Sequence, residues 1–184
     1  MQDTGGEKVR KKNFNYPMLI LWIVGGLITI LFLVFAVKSI AKADGPGYDY
    51  IEQTENQTVI EYTERVAEIY PICPELLQAM IFYESSNNPD ARNGLCVGYM
   101  QVSEKYHTGR ADKLGVSIYD GYGNILTGTD YLMELIEKHG EVATALMVYH
   151  GESDALKKAE AGEISEYAEK VLDLSEKLER KHGK

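Results

Sequence analysis

The run from Pro17 to Val37 is uncharged and dominated by Leu, Ile, Val and Phe. A stretch of that length and composition is long enough to cross a bilayer as a helix, and it excludes the first 42 residues from any globular core. Lys8, Arg10, Lys11 and Lys12 precede the run, and Lys38 and Lys42 follow it. The heavier basic flank is expected to stay in the cytoplasm, so the larger C-terminal part is exported. The alternative is a cleavable signal peptide, for which Ala41-Lys42-Ala43 has the small-x-small form. The apolar run is longer than a signal core usually is, which favours a retained single-pass anchor. The expected organisation is a basic cytoplasmic tail over 1–16, a transmembrane helix over 17–37, a linker over 38–57 broken by Gly45-Pro46-Gly47, and one domain over 58–182.

The exported part is acidic. Of 28 Asp and Glu only Asp3 and Glu7 precede residue 43, against six of the 19 Lys and Arg, so the remainder carries a formal charge of −13 where the whole chain carries −9. A nucleic-acid partner calls for a basic surface and is excluded on these grounds. Two cysteines and four scattered histidines (107, 139, 150, 182) show no ligand spacing of a zinc site, and no motif asks for a cofactor.

Within that domain one residue is out of place. Leu77, Met80 and Ile81 follow the i, i+3, i+4 spacing of a buried helix face, and the next position on the stripe is Glu84. A carboxylate on the apolar side of a helix is costly to bury ionised, so it is expected to hold a proton near neutral pH and to suit general acid catalysis. The competing view is a helix that ends here with Glu84 in solvent, because Asn87-Asn88-Pro89 follows at once.

Other helices are legible from period and caps. Thr58-Val-Ile-Glu61 has the form of a capping box opening a helix with Val59, Tyr62, Val66 and Ile69 inward. Pro74 suits the first turn of the Glu84 helix. Residues 87–123 are rich in Asn, Gly, Asp and Ser and predict loops with one short helix or hairpin. Further helices are expected over 124–139 with Gly140 as the stop, over 141–149, over 154–161 and over 165–180.

The chain then carries an ordered series: Glu84-Ser85, Gly98-Tyr99-Met100-Gln101, Asn124-Ile125 with Gly128 and Tyr131-Leu132, and Ala145 to Tyr149-His150. Together these resemble the lytic transglycosylase family of the goose-lysozyme-like fold, from about Val59 to Leu178. The resemblance departs at Tyr99, where the family carries Leu, and at His150, where it carries Asn, and both positions bear on the sugar subsites.

The resemblance implies a mainly α, lysozyme-like domain that cuts the β-1,4 bond from N-acetylmuramic acid to N-acetylglucosamine in peptidoglycan glycan strands. It implies Glu84 as sole general acid and base, and a 1,6-anhydro product. Gln101 would give amide hydrogen bonds to sugar or acetamido groups, and Tyr149 would bring its hydroxyl near Glu84. Tyr131, Ser85 and His150 would line or support the substrate site. Asp90 or Asp120 as a second acid would instead make a hydrolytic muramidase, and a cleft that has lost activity would make a wall-binding protein. A membrane-tethered helical interaction module with no sugar site is disfavoured by the ordered motifs. A small anchored enzyme of this kind suits local wall opening beside a secretion or conjugation complex. Cys73 and Cys96 bracket Glu84, and in an oxidising compartment they are expected to close a disulfide, the alternative being two separate buried thiols.

Overall fold

A computed structural model describes residues 56–184; the expected tail, membrane helix and most of the linker lie outside the described residues. Among the described residues no helix is long and apolar enough to cross a membrane. Over the described residues seven helices and a small sheet follow one another as α1 (Gln57–Ala67), α2 (Pro74–Ser85), β1 (Arg92–Asn93), β2 (Cys96–Val97), β3 (Val102–Ser103), α3 (Glu104–Leu114), α4 (Gly121–His139), α5 (Val142–Tyr149), α6 (Ala155–Glu160) and α7 (Glu166–Lys181).

Helix α2 occupies the centre, packed between α1 and α7, and α4 runs alongside α1, α3 and α5. The stripe of Leu77, Met80 and Ile81 is fully buried, in one core with Leu132, Leu146 and Val171. Burying each such side chain is worth about 1.5–3 kcal/mol, which is what holds α2 in place. The loop-rich stretch folds into an antiparallel sheet in the order β1-β2-β3, with Asn93 opposite Cys96 and Val97 opposite Val102.

Local details depart from expectation in three places. Helix α1 is capped by Asn56, whose Oδ1 accepts from the amides of Thr58 and Val59, so Thr58 lies inside the helix and no capping box forms. Asn is the better cap, and it claims the first-turn amides two residues earlier. Ile69 lies past the end of α1 and is exposed. Helix α4 begins at Gly121 because Asp120 caps it, accepting from the Gly123 amide at 2.9 Å.

The cysteines are a further correction: both are free thiols. Cys73 is the residue before α2 and donates to Glu75 Oε2 at 2.9 Å. Cys96 lies in the cleft wall near the other end of α2, where the charge of Glu84 reaches it. Eleven helical residues separate the two ends, about 16 Å at 1.5 Å each, far beyond the span of a disulfide.

Candidate active site

Helix α2 stops abruptly after Glu84-Ser85. Ser86 and Asn87 both take positive φ (53° and 61°), and the Ser86 amide closes on the Phe82 carbonyl. Left-handed backbone at a non-glycine residue costs roughly 1–2 kcal/mol. Gln101, at φ 47°, is the third such residue among those described, so all of this strain is gathered around one place. Clustered strain of that kind is found at ligand clamps and active sites.

Glu84 itself stays on the buried stripe, with its side chain only 11% exposed. Burial holds its carboxyl above the ordinary range, against opposing pulls from Tyr167 and His150. The Tyr167 hydroxyl donates to Glu84 Oε1 at 2.5 Å. His150 stacks on the Tyr167 ring, with centroids 3.9 Å apart and planes 10° apart, and its Nδ1 stands 3.7 Å from the same carboxylate oxygen. Burial, then the charge and hydrogen bond of Glu84, push the Tyr167 hydroxyl well up, so it remains a donor.

Beside this triad lies a cavity of about 180 Å³ lined by Cys96, Gln101, His107, Gly128, Tyr131 and Tyr149 among others. Glu84 is not on that lining. Cys96 and Tyr149 form the shared wall: burial, and next the Glu84 charge, disfavour ionisation of both. Tyr131 lies between His107 and Tyr149, with ring centroids at 4.3 and 5.3 Å, and so builds the aromatic side of the cavity.

The loop carrying Gln101 is held by α4. Asn124, buried at 1% exposure, accepts from the Met100 amide at 2.9 Å and donates to the carbonyls of Val97 and Ile118 at 2.9 and 2.8 Å. Gly98 permits this, since a Cβ there would lie 2.4 Å from Asn124 Nδ2 and its φ is +75°. Gly128 likewise lets Met100 and the Tyr149 hydroxyl approach, each 2.8 Å from where its Cβ would be.

Several expected roles change. Tyr149 is in the wall and near enough to feel the Glu84 charge, but its hydroxyl donates to the Met100 carbonyl at 2.9 Å, and the hydrogen bond to Glu84 comes from Tyr167. Gln101 lines the cavity, yet its Nε2 donates to the carbonyls of Ala91 and Gly98 at 3.2 and 3.0 Å. Its amide oxygen is therefore the atom left to meet a ligand, and the donor role is taken by its own loop. Ser85 turns its hydroxyl back to the Ile81 carbonyl at 3.0 Å, closing its own helix rather than orienting Glu84. Tyr99 is 4% exposed and packs near Gly121, so it is a core residue and shapes no subsite.

Asp120 is committed to capping α4, and no shift in Glu84 traces to Asp90 or Asp120. The carboxylate nearest the triad in effect is Glu152, which acts on Tyr167 and is itself paired with Lys158 at 2.9 Å. Tyr167 was absent from the expected site. It precedes the buried stripe of Ala168, Val171 and Leu178 on α7, and an aromatic beside such a stripe at a helix start was the one available signal. Among the described residues no group of three or more His, Cys, Asp or Glu is placed to hold a metal ion.

This constellation is found in a recognised sequence context. Residues 61–171 match the model of the transglycosylase SLT domain, from within α1 to within α7. The chain belongs to the SLT transglycosylase domain family. It is also 37% identical over 84 residues to a protein of Enterobacteria phage PRD1 described as a transglycosylase. That match covers 45% of this chain and 30% of the phage protein, so the chain spans less than a third of that relative's length. The mainly helical, lysozyme-like architecture is the one expected from the motif series, and Glu84, Gln101, Tyr131, Tyr149 and His150 all lie at or around its cleft.

Proposed function

We propose that the domain is a peptidoglycan lytic transglycosylase that cleaves the N-acetylmuramic acid to N-acetylglucosamine β-1,4 bond with Glu84 as the single acid and base. The observation that carries this is a buried carboxyl held above the ordinary range, gripped on one oxygen by a tyrosine hydroxyl, beside a cavity with aromatic and amide walls.

Glu84 gives its proton to the glycosidic oxygen as the C1–O bond breaks, and the electron pair leaves with that oxygen. The substrate's 2-acetamido oxygen closes on C1 to give a cyclic cation. The Glu84 carboxylate, now stabilised by the Tyr167 hydroxyl, removes the proton from the muramyl 6-hydroxyl. That oxygen attacks C1, reopens the acetamido ring and forms the 1,6-anhydro sugar with no water consumed. Glycosidases with two working carboxylates keep the pair about 5–10 Å apart across the bond. Here Asp120 is used as a cap and Glu152 is ion-paired to Lys158, which favours the single-acid route over hydrolysis. Gln101 presents its amide oxygen to an incoming N–H or O–H group, and Tyr131 offers a ring face to sugar carbons.

The test is digestion of purified sacculi by the domain, with mass spectrometry of the released muropeptides. Anhydro ends are expected, and reducing ends would assign a hydrolase. Glu84→Gln should lower turnover at least about a hundredfold with the fold intact; a variant keeping a tenth of wild-type activity would remove Glu84 from the mechanism. The apolar run over 17–37 supports an extracytoplasmic domain on a single-pass anchor, working on the wall beside a secretion or conjugation complex. Protease added outside intact cells should then degrade residues 58–184 and spare the first segment.

A further inference from the structure

Three side chains from three elements close a triangle at the end of α2. Glu84 comes from α2, His150 from the residue that caps α5, and Tyr167 from the first turn of α7. Tyr167 is bonded to Glu84 at 2.5 Å and carries the His150 ring flat on its face, so the imidazole is held in one position relative to the carboxylate. The 3.7 Å from His150 Nδ1 to Glu84 Oε1 is too long for a hydrogen bond and short enough for strong charge coupling.

We infer that His150 is a positioning residue that acts through its charge, setting the protonation state of Glu84 as the pH changes. This rests on the reading of Glu84 as the acid and base. It goes beyond a sugar-contacting role for His150, because the imidazole would act on the carboxylate and not on the glycan.

Histidine changes charge in the range where a wall enzyme works. When His150 is protonated, a positive charge beside Oε1 favours the Glu84 carboxylate, the form left after proton donation and needed to deprotonate the 6-hydroxyl. When His150 is neutral that support is withdrawn, and Glu84 keeps its proton to higher pH, the form needed for the first step.

The groups around the imidazole are few. Glu84 faces it from α2 and the Tyr167 ring from α7. Glu152, two residues on, feels its charge and is itself held by Lys158 of α6, which also pairs with Asp154 at 3.2 Å. Glu152 is engaged by Lys158, and Glu84 is the carboxylate whose oxygen stands 3.7 Å from the imidazole. The Glu84 charge also reaches the thiol of Cys96 and the hydroxyl of Tyr149, and burial disfavours ionisation of both.

The experiment follows the Glu84 carboxyl ¹³C signal by NMR from pH 3 to 9, with Glu84→Gln identifying the signal by its loss. His150→Asn removes the charge and the ring. His150→Phe keeps a ring on Tyr167 but carries no charge. In both variants the Glu84 titration should move to higher pH by about half to one unit, the size expected for one charge at this range through a half-exposed path. The basic limb of kcat/KM on soluble glycan strands should move with it. A Glu84 midpoint unchanged in both variants overturns the inference. So does a midpoint that moves in His150→Asn and not in His150→Phe, which would assign the effect to the stack. A displaced Glu84 titration in a protein that cleaves no wall material upholds the charge coupling and refutes the catalytic reading.

Discussion

Replacing Tyr167 by Phe deletes one oxygen atom and leaves the ring on which His150 stacks. The lost hydroxyl donates to Glu84 Oε1 at 2.5 Å, the short range typical of an O–H donor to a carboxylate. A hydrogen bond to a charged group is worth about 1.5–3 kcal/mol, and one pKa unit corresponds to 1.36 kcal/mol. Because the bond is made to the charged form, its loss favours the protonated acid. The Glu84 titration in Tyr167→Phe should therefore rise by about one to two pH units, and the basic limb of the pH profile should rise with it. Turnover at the optimum should nevertheless fall roughly tenfold, since the carboxylate that must accept the 6-hydroxyl proton has lost its support and its orientation. Initial rates of muropeptide release between pH 4 and 9 read both effects at once. A basic limb that stays put, or moves down, would refute the assignment of Tyr167 as the donor that stabilises the Glu84 anion.

The buried acid also predicts how stability varies with pH. Since the folded state holds the Glu84 proton more tightly than the unfolded chain does, wild type should lose stability as pH rises through the Glu84 range, while Glu84→Gln does not. The variant's Tm should thus gain on that of wild type as pH rises through the Glu84 titration and level off beyond it, and a gap independent of pH would contradict the burial argument. Gly98→Ala puts a Cβ 2.4 Å from Asn124 Nδ2 at a φ of +75°, and should cost about 2–4 kcal/mol in urea unfolding; a loss under 0.5 kcal/mol would mean the loop is not pinned there. Both thiols should alkylate in unfolded, unreduced protein, and reductant should leave Tm unchanged; a mass two units short, with no alkylation, would restore the bridge.

Glu84 was legible because a helix period is a strong local signal: Leu77, Met80 and Ile81 fix the face, and Glu84 inherits it. The helices over 141–149 and 165–180 were legible for the same reason, and in both the observed bounds agree to about a residue. What the sequence hid depends on where distant groups end up. Tyr167 reaches Glu84 from 83 positions along the chain, with no periodicity to announce it. The inward turn of the Gln101 amide follows from its own positive φ and from carbonyls at Ala91 and Gly98 that only the folded loop brings near. Cys73 and Cys96 are close to Glu84 in sequence, but a straight helix intervenes and carries them apart. Tyr99 stands in a motif and still serves the core, as its neighbour Met100 does, while Gln101 takes the cavity side.

Helix α2 bears a second buried carboxylate, Glu75, in its first turn. Burial there works against ionisation too, but the Cys73 thiol, the Lys184 ammonium and the His182 ring together draw the carboxyl down to about 2. The peptide dipoles of one helix act on both acids with opposite sign. The N-terminal end of the helix dipole favours a negative charge at Glu75, and its C-terminal end opposes one at Glu84. Nine residues of a single helix thus sort two identical side chains into an anchored anion and a carboxyl that holds its proton. Moving the acid to the other end of α2 would forfeit that field, so the polarity of the helix is itself a part of the site.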